Sequence, residues 1–167
     1  MSVEKVFLDI VTKRMLEYKA LGDKTFDQVS GDDMNWQPNE ASNNMAMIIQ
    51  HMYGNMLSRW TNFLSEDGEK DWRKRDEEFE EQHLSKEQLL QLWEKGWETF
   101  FAAISDLTPA DLLKTITIRS QPLTVMDAIN RQVAHYSYHV GQIVYLGRWI
   151  KNKEWTSLSI PKKQSRH

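Results

Sequence analysis

Three histidines are the residues of this chain whose type and spacing could support chemistry. His135 and His139 lie four residues apart in one predicted helix, and His51 lies alone in another. Four residues advance an α-helix by about 400°, so two histidines at this spacing project from the same face. Imidazole is a common ligand of divalent transition metals. Together with a third histidine from a facing helix, the pair would form a three-ligand site that keeps coordination positions open, as catalytic metal sites do.

The same histidines also have a simpler interpretation. A pair of histidines four residues apart is a short motif that arises by chance, and its members can be hydrogen-bonding residues on the shoulder of a helix. A single histidine such as His51 is more often a satisfied core or surface residue. The metal hypothesis therefore requires that the two helices face each other. His83, in a charged segment, and His167, at the end of the sequence, are expected to lie outside the site.

Composition limits the classes of function. Of 167 residues, 40% are hydrophobic and 27% are charged, as in an ordinary globular domain. The net charge of −3 gives no general attraction to nucleic acid, and the seven tryptophans come without a basic stripe. The chain has no cysteine, which excludes disulfides, catalytic thiolates and cysteine metal ligands. No signal peptide and no apolar run of about 18 residues is visible, so we expect a cytoplasmic protein that binds neither membranes nor nucleic acid.

Hydrophobic periodicity predicts the elements that would position the histidines. Four long amphipathic helices are expected, at about residues 3–20, 43–64, 85–106 and 124–150. In the first of them, Val6 and Ile10 are predicted to belong to the buried stripe. Four such helices with one long connection predict an all-α fold, a four-helix bundle. We expect a single domain over residues 1–150 and a poorly packed C-terminal tail over residues 151–167.

Capping and turn signals divide the rest of the chain. Ser85 and Gln88 form a predicted capping box at the start of the third helix. The segment Ser30–Asp33 is predicted to be a break and Met34–Pro38 to be extended. Residues 114–118 alternate like a strand, and residues 119–122 are predicted to turn the chain back into a short β-hairpin before the last helix.

Polar residues and glycines accompany the histidines on their helices. Gln142 shares the shoulder of the last helix with its two histidines, and the line through His51 also holds Asn55 and Arg59. Gly54 and Gly141 lie within a turn of a histidine, and an interior glycine costs about 1 kcal/mol relative to alanine. Either a group approaches these helices closely or the glycines serve plain helix packing.

The segment Ser65–Gln82 is charged and is predicted to be mostly loop. At about 20 residues it is long for a plain connection. Trp72 and Phe79 are apolar residues in an otherwise charged run that also includes Arg73. The segment is therefore expected to be a lid, a dimer contact or a loop docked on its own helices.

The arrangement of motifs resembles the DinB/YfiT-like superfamily. The resemblance covers roughly residues 3–150, and a second stretch further resembles a bacterial branch of unknown function. The residues that carry both are Trp36-x-Pro38, His51, His135-x-x-x-His139-x-Gly141-Gln142-Ile143, the run Gly54–Leu64, and Asp67–Lys70 with Arg73-x-Arg75-Asp76.

This resemblance implies both a fold and a site. Members are up-down-down-up four-helix bundles, often homodimeric, whose metal ligands map onto His51, His135 and His139. It implies a divalent metal, with nickel, zinc or iron associated with members. Some relatives are metal-dependent S-transferases or isomerases that use a low-molecular-weight thiol, others are called hydrolases, and fold kinship alone does not transfer an activity.

The implied chemistry is activation of a water or thiol by a metal held by three neutral imidazoles. In zincins a glutamate follows the first histidine of the pair; here that residue is Tyr136, so peptidase activity is not expected. Asn55, Arg59 and Gln142 are the candidates for binding a substrate between the second and fourth helices. Arg59 has an alternative role, an ion pair with the acidic segment that follows it.

Two classes of function remain open at this point. One is a metal-dependent enzyme, either a thiol S-transferase or a hydrolase. The other is a non-catalytic metal-binding or stress-related bundle whose site has no turnover. Metal content and turnover with a small thiol distinguish the two classes.

Overall fold

The computed structural model describes residues 2–160 and is mostly helical, with 64% of residues in helices. The described part contains five α-helices: α1 Val3–Phe26, α2 Gly31–Asn35, α3 Met45–Trp60, α4 Lys86–Ser105 and α5 Val125–Lys151. Two strands, β1 Thr115–Ile118 and β2 Gln121–Thr124, form an antiparallel hairpin just before α5. None of the helices in residues 2–160 has both the length and the apolar character needed to cross a membrane.

Local capping sets where the helices that carry the site begin. Asn44 caps α3 by accepting a hydrogen bond from the backbone N–H of Met47 at 2.8 Å, one or two residues later than the predicted start. Thr124 caps α5 in the same way. The predicted capping box of Ser85 and Gln88 is present at the start of α4. Side-chain oxygens at these positions satisfy backbone N–H groups that have no partner within the helix.

The segment predicted to be a break is instead a short helix. Ser30 and Asp33 form a reciprocal capping box that starts α2, which continues through Met34 and Asn35, so only Trp36 begins the extended chain. α1 also continues beyond its predicted end, to Phe26. The break prediction was wrong because a serine with an acidic residue three positions later is itself a helix-start signal.

The long helices pack around one hydrophobic core. α3 packs against α4 and α5, and α1 packs against α5 and α4. On α1, Val11, Met15 and Leu8 are buried, whereas Val6 and Ile10 are exposed, so the prediction of burial was wrong for these two residues. The other long helices contribute Ile48, Ile49, Trp93, Trp97, Val140 and Ile143 to this core, with Val133 partly buried against it.

The β-hairpin turns through Arg119 and Ser120. Both residues have positive φ angles, 54° and 59°, as the tight turn of a two-residue hairpin requires. The prediction that Gln121 and Pro122 belong to the turn was wrong, because they pair with Ile118 and Thr117. The hairpin itself, between residues 115 and 124, is confirmed.

The charged segment 65–82 is mostly loop, as predicted, with a 3-10 turn over Asp76–Phe79. Its tip is tied to the hairpin, because Asp67 accepts hydrogen bonds from the backbone N–H groups of Arg119 and Ser120, each at 2.8 Å. These backbone hydrogen bonds, with one from Glu69, outweigh burial and hold the pKa of Asp67 well below its ordinary value. The loop is therefore docked on its own chain, although Trp72 remains exposed.

The chain after α5 is also attached where the structure describes it. Thr156 exchanges two backbone hydrogen bonds with the side chain of Gln28, at 2.8 and 3.1 Å. Most of residues 151–160 are nevertheless exposed, and the expectation of a poorly packed tail stays a prediction. Its remaining residues, including His167, lie outside the described residues, and the division of the chain at residue 150 stays a prediction.

Candidate metal centre

The three predicted histidines converge between α3 and α5. The Nε2 atom of His135 lies 3.3 Å from Nε2 of His51 and 3.0 Å from Nε2 of His139. One ligand atom from each ring lies within 4.8 Å of the others. His51 and His139 are buried, and His135 is partly buried. The predicted convergence is confirmed, and His83 lies apart from it, exposed beside Glu81.

Each of the three rings has its other nitrogen against an oxygen acceptor. Nδ1 of His51 lies 2.9 Å from a carboxylate oxygen of Glu78. Nδ1 of His139 lies 2.8 Å from Oε1 of Gln142, and Nδ1 of His135 lies 3.3 Å from Oε1 of Gln132. An Nδ1 that donates to such an oxygen carries the proton, which leaves Nε2 with a free lone pair in the neutral ring.

This donor set fits a divalent metal ion. With the ring protons on the Nδ1 atoms, three Nε2 lone pairs face one another, an arrangement that is repulsive unless a cation accepts them. Metal–nitrogen bonds of about 2.0–2.1 Å place two ligands of one ion about 3 Å apart, which matches the two Nε2 separations of 3.0 and 3.3 Å. His51, His135 and His139 could therefore hold a metal ion.

Glu78, which the sequence interpretation missed, positions His51. Arg73 donates two hydrogen bonds to its carboxylate, from Nε at 2.7 Å and from Nη2 at 2.9 Å. Phe79 lies against the His51 ring, with 4.8 Å between the ring centroids. A carboxylate that accepts the second N–H of a ligand histidine fixes the orientation and tautomer of the ring. The loop predicted to be a lid or contact therefore supplies a buried support for the centre.

Gly54 is the sequence signal that could have revealed this contact. A Cβ atom at Gly54 would lie 2.1 Å from the Glu78 carboxylate, so only glycine leaves room for the carboxylate here. The interpretation of Gly54 as a point of close approach is thus confirmed. Gly141 differs, because a Cβ atom there would have no neighbouring atom within 4 Å.

The surroundings lower the pKa values of His135, His139 and Glu78, which favours the neutral form of these two histidines and the charged form of the carboxylate. Burial, together with smaller effects of the nearby His139 and His51, lowers the pKa of His135 to about 3. Burial also lowers the pKa of His139 to about 4, against the hydrogen bond to Gln142. Burial alone would raise the pKa of Glu78, but the hydrogen bonds from Arg73 and His51 outweigh it and lower that pKa. Neutral imidazole is the form that binds a metal.

The three predicted substrate residues have different surroundings. Asn55 accepts a hydrogen bond from the hydroxyl of Tyr136 at 3.1 Å. Arg59 donates from Nη2 to Glu69 at 3.0 Å and from Nη1 to the carbonyl of Gly68, so the alternative of an ion pair with the acidic loop is present. Gln142 contacts His139 and lines a separate cavity. Their role in substrate binding stays a prediction.

A cavity of about 470 Å³ opens beside the histidines. His51, His135, Asn55 and Gln132 line it, but Gln142 does not, so the expectation that Asn55 and Gln142 border one pocket was wrong. The other lining residues share a positive charge: Arg59, Arg73, Arg75, Arg119 and Arg131. Among the described residues that line the cavity there is no carboxylate, phenol or thiol.

The lowered histidine pKa values predict how the stability of the metal-free protein depends on pH. An unfolded histidine has a pKa of about 6.5, so below that value the unfolded chain binds more protons than the folded chain. The contribution of the two neutral histidines to the free energy of unfolding is fully present above about pH 6.5. It is lost progressively as the pH falls from there to about 4 for His139 and to about 3 for His135. Thermal unfolding of chelator-treated protein between about pH 7 and pH 4 measures this loss. A His135→Gln variant should show a shallower dependence, and an equally steep one would contradict the prediction.

The contact between Glu78 and His51 predicts a loss of metal affinity on substitution. Glu78→Gln removes the charge that holds the ring, so we expect metal affinity to fall by about 10–100-fold. Competition with a chromophoric chelator measures the affinity, and circular dichroism checks that the helices persist. Glu77→Gln, at an exposed position of the same 3-10 turn, is the matched control. Equal affinities in the two variants would show that Glu78 does not support the centre.

Comparison with known proteins places the chain in a family. The matching family model is described as "Protein of unknown function (DUF1572)", and it covers residues 2–164. None of the curated proteins matches the chain. The matched range includes the three histidines, Glu78 and the five arginines of the cavity. The chain therefore belongs to the DUF1572 family of proteins of unknown function.

Proposed function

We propose that this protein is a divalent-metal-dependent S-transferase that uses a low-molecular-weight thiol. The observation that carries the proposal is the convergence of three unprotonated imidazole nitrogens beside a cavity whose described lining has no general base. Nickel, zinc or iron would each suit three imidazole ligands. When bound, such an ion lowers the pKa of a thiol and so supplies a thiolate near neutral pH.

The residues of the cavity favour a thiol over water as the nucleophile. The Glu78 carboxylate contacts a ligand histidine, but it already accepts hydrogen bonds from Arg73 and His51. A thiol has an ordinary pKa of about 8.5 and water one of about 15.7, so a thiol needs a much smaller shift. Hydrolysis is thus the weaker of the two enzymatic alternatives.

The proposed reaction is a displacement. The thiolate sulfur attacks an electrophilic carbon, a C–S bond forms, and the bond from that carbon to its leaving group breaks. The leaving group takes the electron pair, and the thiol proton passes to solvent. His51, His135 and His139 would hold the ion, Glu78 would keep His51 in its tautomer, and Asn55 and Gln132 would contact the bound reactants from the cavity wall.

The proposal includes the fold and compartment implied by the resemblance. We propose a DinB/YfiT-like four-helix bundle made of α1, α3, α4 and α5. The packing of α3 and of α1 against both α4 and α5 supports it, as does the origin of the ligands from α3 and α5. Small thiols are kept reduced in the cytoplasm, where we propose that the protein acts.

The implied homodimer stays a prediction. Exposed Tyr138, Tyr145 and Trp149 on α5 offer an apolar surface that a second copy would cover. We expect light scattering to give a mass of about twice the 19.7 kDa chain and Tyr145→Arg to reduce it to one chain. Leu113→Arg, at another exposed apolar residue, is the matched control. A single-chain mass for the unmodified protein would contradict the dimer.

Metal content and thiol turnover test the proposed activity together. Protein purified without a nickel column should contain about one divalent ion per chain by elemental analysis. It should also catalyse displacement of chloride from monochlorobimane by bacillithiol or another small thiol, and lose this activity with a chelator. His139→Gln should lose metal and turnover while remaining folded, because the hydrophobic core lies outside the triad.

His83→Gln is the matched control, since His83 is exposed and lies outside the centre. It should retain both metal and turnover. Metal-loaded protein without turnover on any small thiol would contradict the S-transferase and favour the non-catalytic metal-binding bundle. Unfolding of His139→Gln at room temperature would show instead that the centre is structural.

A further inference from the structure

The cavity beside the histidines carries an excess of positive charge. Five arginines line it: Arg59, Arg73, Arg75, Arg119 and Arg131. Three carboxylates pair with four of these arginines: Glu69 with Arg59 and Arg119, Glu78 with Arg73, and Asp76 with Arg75. The histidines add no negative charge. The described wall is therefore cationic before any ligand enters.

Two of the arginines are held within the protein. The side chain of Arg73 is almost fully buried, and its guanidinium donates two hydrogen bonds to Glu78. Arg59 is also buried, but its Nε has no hydrogen-bond partner among the described residues. A buried donor without a partner costs free energy that a bound acceptor or an ordered water recovers. Arg59 thus adds a buried positive charge to the cavity wall and keeps one donor unsatisfied within the described residues.

Arg131 is the arginine best placed to meet a ligand. In residues 2–160 it makes no ion pair and no side-chain hydrogen bond, and it is exposed on α5. It precedes His135 by four residues, so both side chains project from the same face of α5. Its guanidinium is therefore available at the cavity, one helical turn from a ligand histidine.

We propose that this cavity binds the anionic oxygens of the substrate, a carboxylate or a phosphate, with Arg131 as the principal contact. Guanidinium groups bind either group through two parallel hydrogen bonds. A cavity of about 470 Å³ holds a small molecule. The inference rests on the proposed function in one respect: it makes the thiol substrate an acidic one, with its anionic group on Arg131 and its sulfur toward the histidines.

Anion binding tests the inference without any turnover. Succinate and inorganic phosphate are titrated by calorimetry, at low ionic strength, into the metal-loaded protein and into its Arg131→Gln and Arg148→Gln variants. Arg148 is an exposed arginine of the same helix that does not line the cavity. We expect Arg131→Gln to lose about tenfold or more in affinity and Arg148→Gln to keep it. The better-bound anion identifies the group. Absence of binding to the unmodified protein, or equal affinities in both variants, would overturn the inference.

Thiols of different charge separate this inference from the proposed function. Arg131→Gln should raise KM about tenfold for mercaptosuccinate and leave KM for mercaptoethanol unchanged. An equal effect on both thiols would overturn the inference while leaving the S-transferase intact. If no thiol turns over but anion affinity still falls in Arg131→Gln, the S-transferase is wrong and the anion site stands.

Discussion

The structure around the three histidines has to overcome the repulsion between three unprotonated imidazole nitrogens. His51, His135 and His139 bring Nε2 lone pairs to separations of 3.0 and 3.3 Å, while their Nδ1 atoms face acceptor oxygens. Nothing within the triad offsets that repulsion, and burial keeps His135 and His139 from gaining protons near neutral pH. The fold must therefore hold the rings together by contacts outside the triad, and those contacts explain several features that are otherwise unrelated.

The charged loop and the hairpin serve this purpose. Glu78 reaches His51 because Arg73 fixes its carboxylate and Gly54 leaves room for it beside α3. The loop that carries Glu78 is fixed at its other end, where Asp67 accepts backbone hydrogen bonds from the hairpin turn. A two-stranded hairpin is marginal by itself, so the loop and the turn stabilise each other. The orientation of His51, one of the candidate metal ligands, thus depends on a segment that sequence alone would treat as solvated surface.

Local signals explain what the sequence could predict. The histidine spacing, the capping box at Ser85 and the alternating hairpin are short-range patterns, and the structure contains all three. Glu78 was not predictable in the same way, because it is one acidic residue among many in its loop, and only the path of the chain distinguishes it from Glu77. Gln142, in contrast, was predicted to border the cavity and does not line it. Its helical face was assigned correctly, but at three residues from His139 it contacts that ring rather than the cavity.

The net charge of the candidate metal centre affects what the neighbouring cavity can bind. Three neutral imidazoles contribute no negative charge, so a divalent ion held by them would keep its full charge beside the cationic wall. Glu78 lies behind His51 and is already neutralised by Arg73. The described lining offers no carboxylate that could balance the remaining charge. Electrical neutrality in such a partly buried space has to come from what binds there. An anionic group on Arg131 and a thiolate at the ion would together offset part of this charge, so the proposed charge of the substrate and the proposed activation of its sulfur depend on the same electrostatics.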